Sequence, residues 1–292
     1  MTGLTMKPFN GQNVILTGVS SGIGKETAKC LANQGYRVWG SVRKIADAEP
    51  LQSELGERFE AMVFDVCDGE NIKAAAAKAA KANGDEPVAA IINNAGLALF
   101  GPMELLEDDA FEHIMKVNVI GTRLVTNAFL PLMRRSPAGV PRKIINVSSL
   151  SGIFNTPMNG AYCVSKHAME SLGEIYRREL LSENIDVVSI RSGPIQTEIW
   201  RKNIDETVPY VGTPYEEASQ RTQTILQNAK KNALPPSVIS ELVLGIIEGR
   251  KKKLSYHVGD GSRISQILSS TLMPKRIVDR LIDNTLNKAK KP

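Results

Sequence analysis

From Asn13 to Arg191, short runs of β-branched residues alternate with longer stretches in which apolar positions recur at helical spacing. That alternation is the signature of repeated βαβ units, because parallel strands need a helical crossover between them. The predicted strands cover 14–17, 37–41, 61–65, 88–93, 143–148 and 186–191, with a last edge strand at 253–257. The predicted helices cover 22–33, 69–83, 108–133, 160–182 and 237–249, and one or two amphipathic helices over 262–288 break near Pro274. The alanine-rich stretch 73–81 belongs to a sheet-covering helix, since alanine and lysine are both good helix formers. The segment 195–236 breaks the pattern: it is long, holds Trp200, Tyr210 and Tyr215 among polar residues, and is punctuated by Pro209, Pro214 and Pro235-Pro236. Long irregular segments of this kind serve as lids or binding loops, and an ordinary helical excursion is the alternative. No internal repeat and no Pro/Gly/Ser-rich linker divides the chain, so one α/β domain over 1–292 is expected, with helices on both faces of a parallel sheet of about seven strands.

Composition narrows the function classes. The chain has 292 residues and a formal charge of +5, with Lys and Arg scattered rather than gathered beside aromatic residues, so nucleic acid is not an expected partner. Three cysteines, Cys30, Cys67 and Cys163, form no cluster with metal-ligand spacing, and their odd number argues against a disulfide framework. The three histidines, His113, His167 and His257, are too dispersed for a metal site, and none is predicted. Residues 1–13 are polar, and no stretch approaches about 18 consecutive apolar residues, so a soluble, cytoplasmic protein without a transmembrane segment is expected.

Chemistry enters at two places. After the first strand, Thr17-Gly18-Val19-Ser20-Ser21-Gly22-Ile23-Gly24 runs directly into a helical pattern. Missing side chains let the backbone approach a pyrophosphate, and the free N–H groups and dipole of the helix N-terminus favour its charge. Further on, Tyr162 and Lys166 stand at i and i+4 on a helix, with Ser149 thirteen positions upstream. The shared face sets the ammonium beside the phenol, which should lower the phenol's pKa and fit it to exchange a proton with a carbonyl or alcohol oxygen. Cys163, beside the tyrosine, is expected to be a packing residue, since no histidine base lies near it in sequence.

Taken in order, the Gly-x-x-x-Gly-x-Gly turn, Asp65-Val66, Asn93-Asn94-Ala95-Gly96, Asn118, Ser149, Tyr162 with Lys166, and Gly193-Pro194-Ile195-Gln196-Thr197 resemble the classical short-chain dehydrogenase/reductases over nearly the whole chain. The resemblance implies a Rossmann-type doubly wound sheet with a helical substrate lid. It further implies a catalytic set of Asn118, Ser149, Tyr162 and Lys166. Ser149 would donate to the substrate oxygen, Tyr162 would supply the proton, Lys166 would hold the nicotinamide ribose, and Asn118 would hold a water that passes protons toward Lys166. Ser148 is the rival for the serine, and the family's spacing selects Ser149. Gly18, Ser20, Ser21, Gly22, Ile23 and Gly24 would cradle the cofactor phosphates. Asp65 and Val66 would hold the adenine, Asn94, Ala95 and Gly96 would line the cofactor, and Pro194, Ile195 and Thr197 would lie at the nicotinamide.

Two departures bear on this reading. Gly193-Pro194 stands where many members have Pro-Gly, resembling the estrogenic 17β-hydroxysteroid dehydrogenases and leaving the local loop path open. The end of the second strand has no acidic residue to bond a ribose hydroxyl and select NAD; Ser41-Val42-Arg43-Lys44 stands there. Arg43 can pair with a ribose 2′-phosphate through its planar fork and Lys44 can add charge, so NADP(H) is the preferred cofactor, with NAD(H) also possible. The apolar loop with Leu97, Leu99, Phe100 and Met103, and the resemblance of 162–170 to the steroid and retinol dehydrogenase branch, point to a hydrophobic steroid-, retinoid- or lipid-like carbonyl or alcohol. Leu268, Leu272, Ile277, Val278, Leu281 and Ile282 near the C-terminus are expected to pack against the domain. The resemblance also implies a homodimer or homotetramer built from the helices at 108–133 and 160–182. The alternative function is a catalytically silent NADP(H)-sensing protein that keeps the fold and regulates a partner.

Overall fold

The computed structural model describes residues 7, 9–137, 139–140, 142–198, 210–261, 264–265, 267 and 272–286. Seven strands form one fully parallel sheet: β1 (Asn13–Leu16), β2 (Arg37–Val42), β3 (Phe59–Val63), β4 (Val88–Asn93), β5 (Lys143–Ser149), β6 (Asp186–Ser192) and β7 (Ser255–Val258). Their order is β3-β2-β1-β4-β5-β6-β7, so the chain winds outward one way from β1 and then reverses through β4. The nine α-helices among the described residues are α1 (Gly22–Asn33), α2 (Glu49–Leu55), α3 (Gly69–Asn83), α4 (Asp108–Met115), α5 (Thr122–Arg134), α6 (Gly160–Glu179), α7 (Glu216–Lys231), α8 (Ser237–Ile247) and α9 (Lys275–Leu286). None of them is long and apolar enough to cross a membrane.

Successive strand residues feed opposite faces, which explains the continuous apolar runs. Val14 and Leu16 join Leu31 of α1, Leu51 of α2 and Val243 of α8 in one core. Ile15, between them, joins Ile72 of α3 and Phe129 of α5 in the other. Both layers are therefore sealed by helices whose apolar stripes the sequence already displays.

Four elements differ from expectation. The stretch 108–133 is not one helix: residues Lys116–Gly121 form a π-helical turn between α4 and α5, and Asn118 lies inside it. β3 begins two residues earlier than predicted, so Asp65 falls beyond its end. The short helix α2 was not predicted at all, because it has only seven residues and is sealed by just two buried leucines, Leu51 and Leu55. Within 195–236, residues Glu216–Lys231 form a regular helix whose buried positions Ser219 and Leu226 are too sparse to give a strong apolar period. Trp200 and Pro209, which the lid reading also used, lie outside the described residues.

Candidate active site

The reversal of strand order between β1 and β4 opens a crevice at the carboxyl ends of the strands. Two loops meet there, and they fit closely. Gly18, at φ +71°, turns the chain out of β1, and an added Cβ would lie 3.0 Å from the Cα of Ala95. Gly24 allows α1 to pass closer still, since an added Cβ would be 2.0 Å from the carbonyl oxygen of Gly18. Asn94 fastens the junction by donating from Nδ2 to the carbonyls of Thr17 and Gly18, at 2.9 and 3.0 Å. Thr17 Oγ1 in turn accepts from the N–H groups of Asn94 and Ala95, at 3.0 and 2.9 Å. Sequence reading assigned Thr17 no role; its hydroxyl directly before Gly18 was the available signal.

Ser20 and Ser21 are exposed at the start of α1, and Gly22 and Ile23 are half-buried. Ser20, Ser21 and Gly22, with Lys25, Gln196 and Thr197, border a cavity of ≈ 340 Å³ at the helix N-terminus. A cradle of missing side chains, free N–H groups and a nearby ammonium suits a phosphate-bearing group. Arg43 and Lys44 are exposed beyond the end of β2, and neither forms an ion pair among the described residues. Asp65 is half-buried and accepts from the N–H of Cys67 at 2.8 Å, while Val66 packs partly against the core. These residues fit a dinucleotide laid across the strand ends.

A larger cavity of ≈ 790 Å³ opens beside this cradle. Its lining joins Ile23, Asn94, Gly96, Pro194, Ile195 and Thr197 on the cradle side to Ser148, Ser149, Tyr162 and Lys166 on its floor. Apolar walls come from Leu97, Phe100 and Phe154, from Ile225 and Leu226 of α7, and from Val278, Leu281 and Ile282 of α9. Met103, expected here, instead packs on Gly160 and is half exposed. Of the C-terminal residues expected to pack, Leu272 is 89 % exposed, Ile277 and Leu281 are also exposed, and Leu268 lies outside the described residues. The open loop path is also fixed. The N–H of Gly193 donates to the carbonyl of Val258 at 2.7 Å, and the Pro194 carbonyl and Gln196 N–H pair with Leu234. This carries Ile195 and Thr197 to the cavity.

Ser149 ends β5 and is buried, its Oγ accepting from the N–H of Ser151 at 3.1 Å. Tyr162 faces it from the first turn of α6. Burial pushes the phenol up to about 12, and the neighbouring Ser149 hydroxyl works against that rise. This corrects the expectation that Lys166 lowers it. The Lys166 ammonium lies 5.7 Å from the centre of the Tyr162 ring and donates to the Val147 carbonyl at 3.0 Å. Desolvation of the phenol outweighs a cation held over the ring rather than at the oxygen. Lys166, 5 % exposed, is itself lowered to about 8 by burial, with Glu170 pulling it back up.

Asn118, 1 % exposed, lies in the π-helical turn behind Gly96, where an added Cβ would be 3.2 Å from its Oδ1 and 3.7 Å from Lys166 Nζ. Its Oδ1 accepts from the N–H of Leu97, and its Nδ2 donates to the carbonyl of Leu97 and to Ser165 Oγ, all at 2.9 Å. Cys163 is buried beside Thr156 and Phe154, in keeping with a packing role.

The sequence model described as short chain dehydrogenase matches residues 12–207. The chain is 32 % identical over 275 residues to the NADPH-dependent 3-dehydrocapnine reductase of Ornithobacterium rhinotracheale, covering 94 % of this chain and 97 % of that one. It is 29 % identical over 260 residues to the human 17-beta-hydroxysteroid dehydrogenase type 1, covering 83 % of this chain and 76 % of that one. The fold matches that of a short-chain dehydrogenase from Streptomyces avermitilis with a TM-score of 0.77 at 24 % identity, over 94 % of this chain and 96 % of that one. A parallel seven-stranded sheet, a glycine cradle at its reversal point and a sequence match through both make this chain a member of the short-chain dehydrogenase/reductase family, oxidoreductases of alcohol and carbonyl groups.

Proposed function

We propose that the protein is an NADP(H)-dependent oxidoreductase that interconverts a carbonyl and an alcohol on a hydrophobic, lipid-like substrate. The observation that carries this reading is the meeting of Ser149 and Tyr162 on the floor of an apolar cavity that also opens onto the glycine cradle. When bound, the nicotinamide supplies or accepts the hydride. Ser149 donates a hydrogen bond to the substrate oxygen, where negative charge grows during reduction. Tyr162, kept protonated by its burial, gives that oxygen its proton. Lys166 replaces the proton from behind and holds the cofactor ribose, and Asn118 steers the relay while fixing the loop at Leu97. A protein that only sensed the nucleotide would have no use for the Ser149 and Tyr162 pairing.

Arg43 and Lys44, free of carboxylate partners among the described residues, support a 2′-phosphate and hence NADP(H), as does the similarity to the NADPH-dependent 3-dehydrocapnine reductase. Gly18, Ser20, Ser21, Gly22, Ile23 and Gly24 would hold the phosphates, Asp65 and Val66 the adenine, and Asn94, Ala95, Gly96, Pro194, Ile195 and Thr197 the nicotinamide half. The walls from α7 and α9 favour an extended apolar body on the substrate. The chain would act as one domain and assemble as a homo-oligomer through α4, α5, the π-helical turn between them and α6, where Ile120 of the turn and Val164 and Ile175 of α6 are exposed. Light scattering that finds a monomer would remove that last element.

The test is NADPH consumption, beside NADH, against ketosteroids, retinal and long-chain 3-keto compounds, with Tyr162→Phe in parallel. Turnover that vanishes in the variant while NADPH still binds is the expected result; turnover at the wild-type rate would overturn the reading.

A further inference from the structure

The segment between Ser149 and Tyr162 brings three uncharged polar side chains to the larger cavity, Ser151, Thr156 and Asn159, and no step above uses them. Asn159 stands at the position before α6, where an asparagine ordinarily accepts from the free N–H groups of the first turn. Its side chain makes no such bond. Instead Nδ2 donates to Ser151 Oγ at 3.3 Å and to Thr156 Oγ1 at 3.5 Å. Asn159 is 9 % exposed, and its Oδ1 is buried without a hydrogen-bond partner. An amide oxygen left in that state is costly, and a bound donor would remove the cost.

The backbone is held so as to present this amide. Met158, just before it, is buried at φ +62°, a left-handed conformation that a non-glycine residue keeps only where its surroundings impose it. The Met158 carbonyl accepts from the Gly101 N–H at 2.9 Å, and a parallel bridge pairs Gly101 with Asn159. That turn carries the amide away from its own helix end and to the cavity wall.

The chemistry of this corner selects its ligand. Oδ1 of Asn159 can only accept, while the Ser151 hydroxyl, whose oxygen already accepts from Nδ2, keeps its own proton to give. A hydroxyl answers both, donating to one and accepting from the other. Lys166 is the one charged side chain lining the cavity among the described residues, so an ammonium at this corner would find no carboxylate. The corner also adjoins the reacting oxygen. The Ser151 N–H donates to Ser149 Oγ at 3.1 Å, and Asn159 precedes Tyr162 by three residues, a Cβ separation of about 5–6 Å along a helix face.

We propose that Ser151 and Asn159 are specificity residues that bind a hydroxyl one or two carbons from the reacting carbonyl, which makes the substrate class a hydroxy ketone on a long apolar chain. The proposal rests on the oxidoreductase reading above and narrows the substrate of that same site.

The experiment compares long-chain ketones that differ only beside the carbonyl: hydroxymethyl, methoxymethyl and methyl, with a hydroxyethyl and ethyl pair. The kcat/KM with NADPH is measured for the wild type, Asn159→Ala, Ser151→Ala and Tyr162→Phe, and calorimetry gives the affinity of each ketone for the protein loaded with NADP⁺. In the wild type a hydroxy ketone should exceed its unsubstituted counterpart by about tenfold or more in both measurements, the worth of one or two hydrogen bonds. The methoxymethyl ketone, which cannot donate, should match the methyl ketone. In Asn159→Ala the hydroxyl preference should fall to near one, whatever the absolute rates, and in Ser151→Ala it should fall several-fold. A wild type that treats hydroxyl and methoxyl alike, or a preference that survives Asn159→Ala, overturns the proposal. Should Asn159→Ala fail to fold, Ser151→Ala decides on the same ratio, and an unchanged ratio refutes it. Tyr162→Phe active at the wild-type rate, or a hydroxyl preference in affinity with no turnover of any ketone, would instead overturn the oxidoreductase reading and leave the hydroxyl subsite standing.

Discussion

Asn118 and Leu97 are joined by two reciprocal hydrogen bonds of 2.9 Å, the side-chain amide of one reading both the N–H and the carbonyl of the other. The pair ties the π-helical turn of Lys116–Gly121 to the loop after β4, beside Gly96 and the Lys166 ammonium. Asn118→Ala removes both bonds and the one to Ser165, leaving buried polar groups unpaired at a cost of about 3 kcal/mol. Denaturant unfolding should show that loss. The kcat/KM for reduction should fall further than the folded fraction does, since the loop that lines the cavity loses its anchor.

Ser149→Ala should lower kcat by about 10²- to 10³-fold, the usual effect of removing one donor to a developing oxyanion. Ser148→Ala should have a much smaller effect, because that hydroxyl makes no hydrogen bond in the structure. Single-turnover rates for the two variants compare them directly. Equal losses would reassign the donor.

Arg43→Ala should raise the KM for NADPH by about tenfold or more, the worth of charge-assisted hydrogen bonds to a phosphate, and barely change that for NADH. Coenzyme titrations followed by fluorescence check this. Equal weakening of both would take Arg43 out of the phosphate site.

The pH dependence follows from two opposed shifts. Lys166 falls from an ordinary value of 10.5 to about 8, so the ammonium that restores the Tyr162 proton is present below pH 8 and lost above it. Carbonyl reduction should therefore decline as pH rises through about 8, while Tyr162, raised to about 12, stays protonated. Stability from Lys166 runs the other way: between about 8 and 10.5 the unfolded chain holds the extra proton, so this group's contribution rises with pH. Above about 10 the tyrosine reverses the trend, because the unfolded phenol ionises first. Rate profiles and urea midpoints from pH 6 to 10.5 separate the two.

Gly24→Ala should abolish NADPH binding, because its Cβ would stand 2.0 Å from the Gly18 carbonyl oxygen and force the cradle open. Isothermal titration reads this. Gly84→Ala, at a φ of +54° but with open space around it, should cost modest stability and leave binding intact.

Sequence determined much of this protein. Strand and helix periods, the glycine turn and the spacing of Ser149, Tyr162 and Lys166 are local patterns, and local patterns survive in a linear chain. They were enough for the parallel sheet, the cradle at its reversal point and the short-chain dehydrogenase/reductase family. Tertiary structure decided what depends on burial and on contacts between distant segments. The phenol of Tyr162 rises instead of falling, because desolvation is set by β5, α6 and the cavity walls together and no i,i+4 rule contains it. The π-helical turn at Asn118 is held by bonds to Leu97 and Ser165, 21 and 47 residues away. Glu170 acquires its partner from β6, 21 residues downstream, and the apolar walls gain Ile225 and Leu226 from helix α7, whose sparse buried positions blur its period. Spacing fixes which side chains share a helix face; the dielectric around them is fixed by whatever the rest of the fold packs against that face.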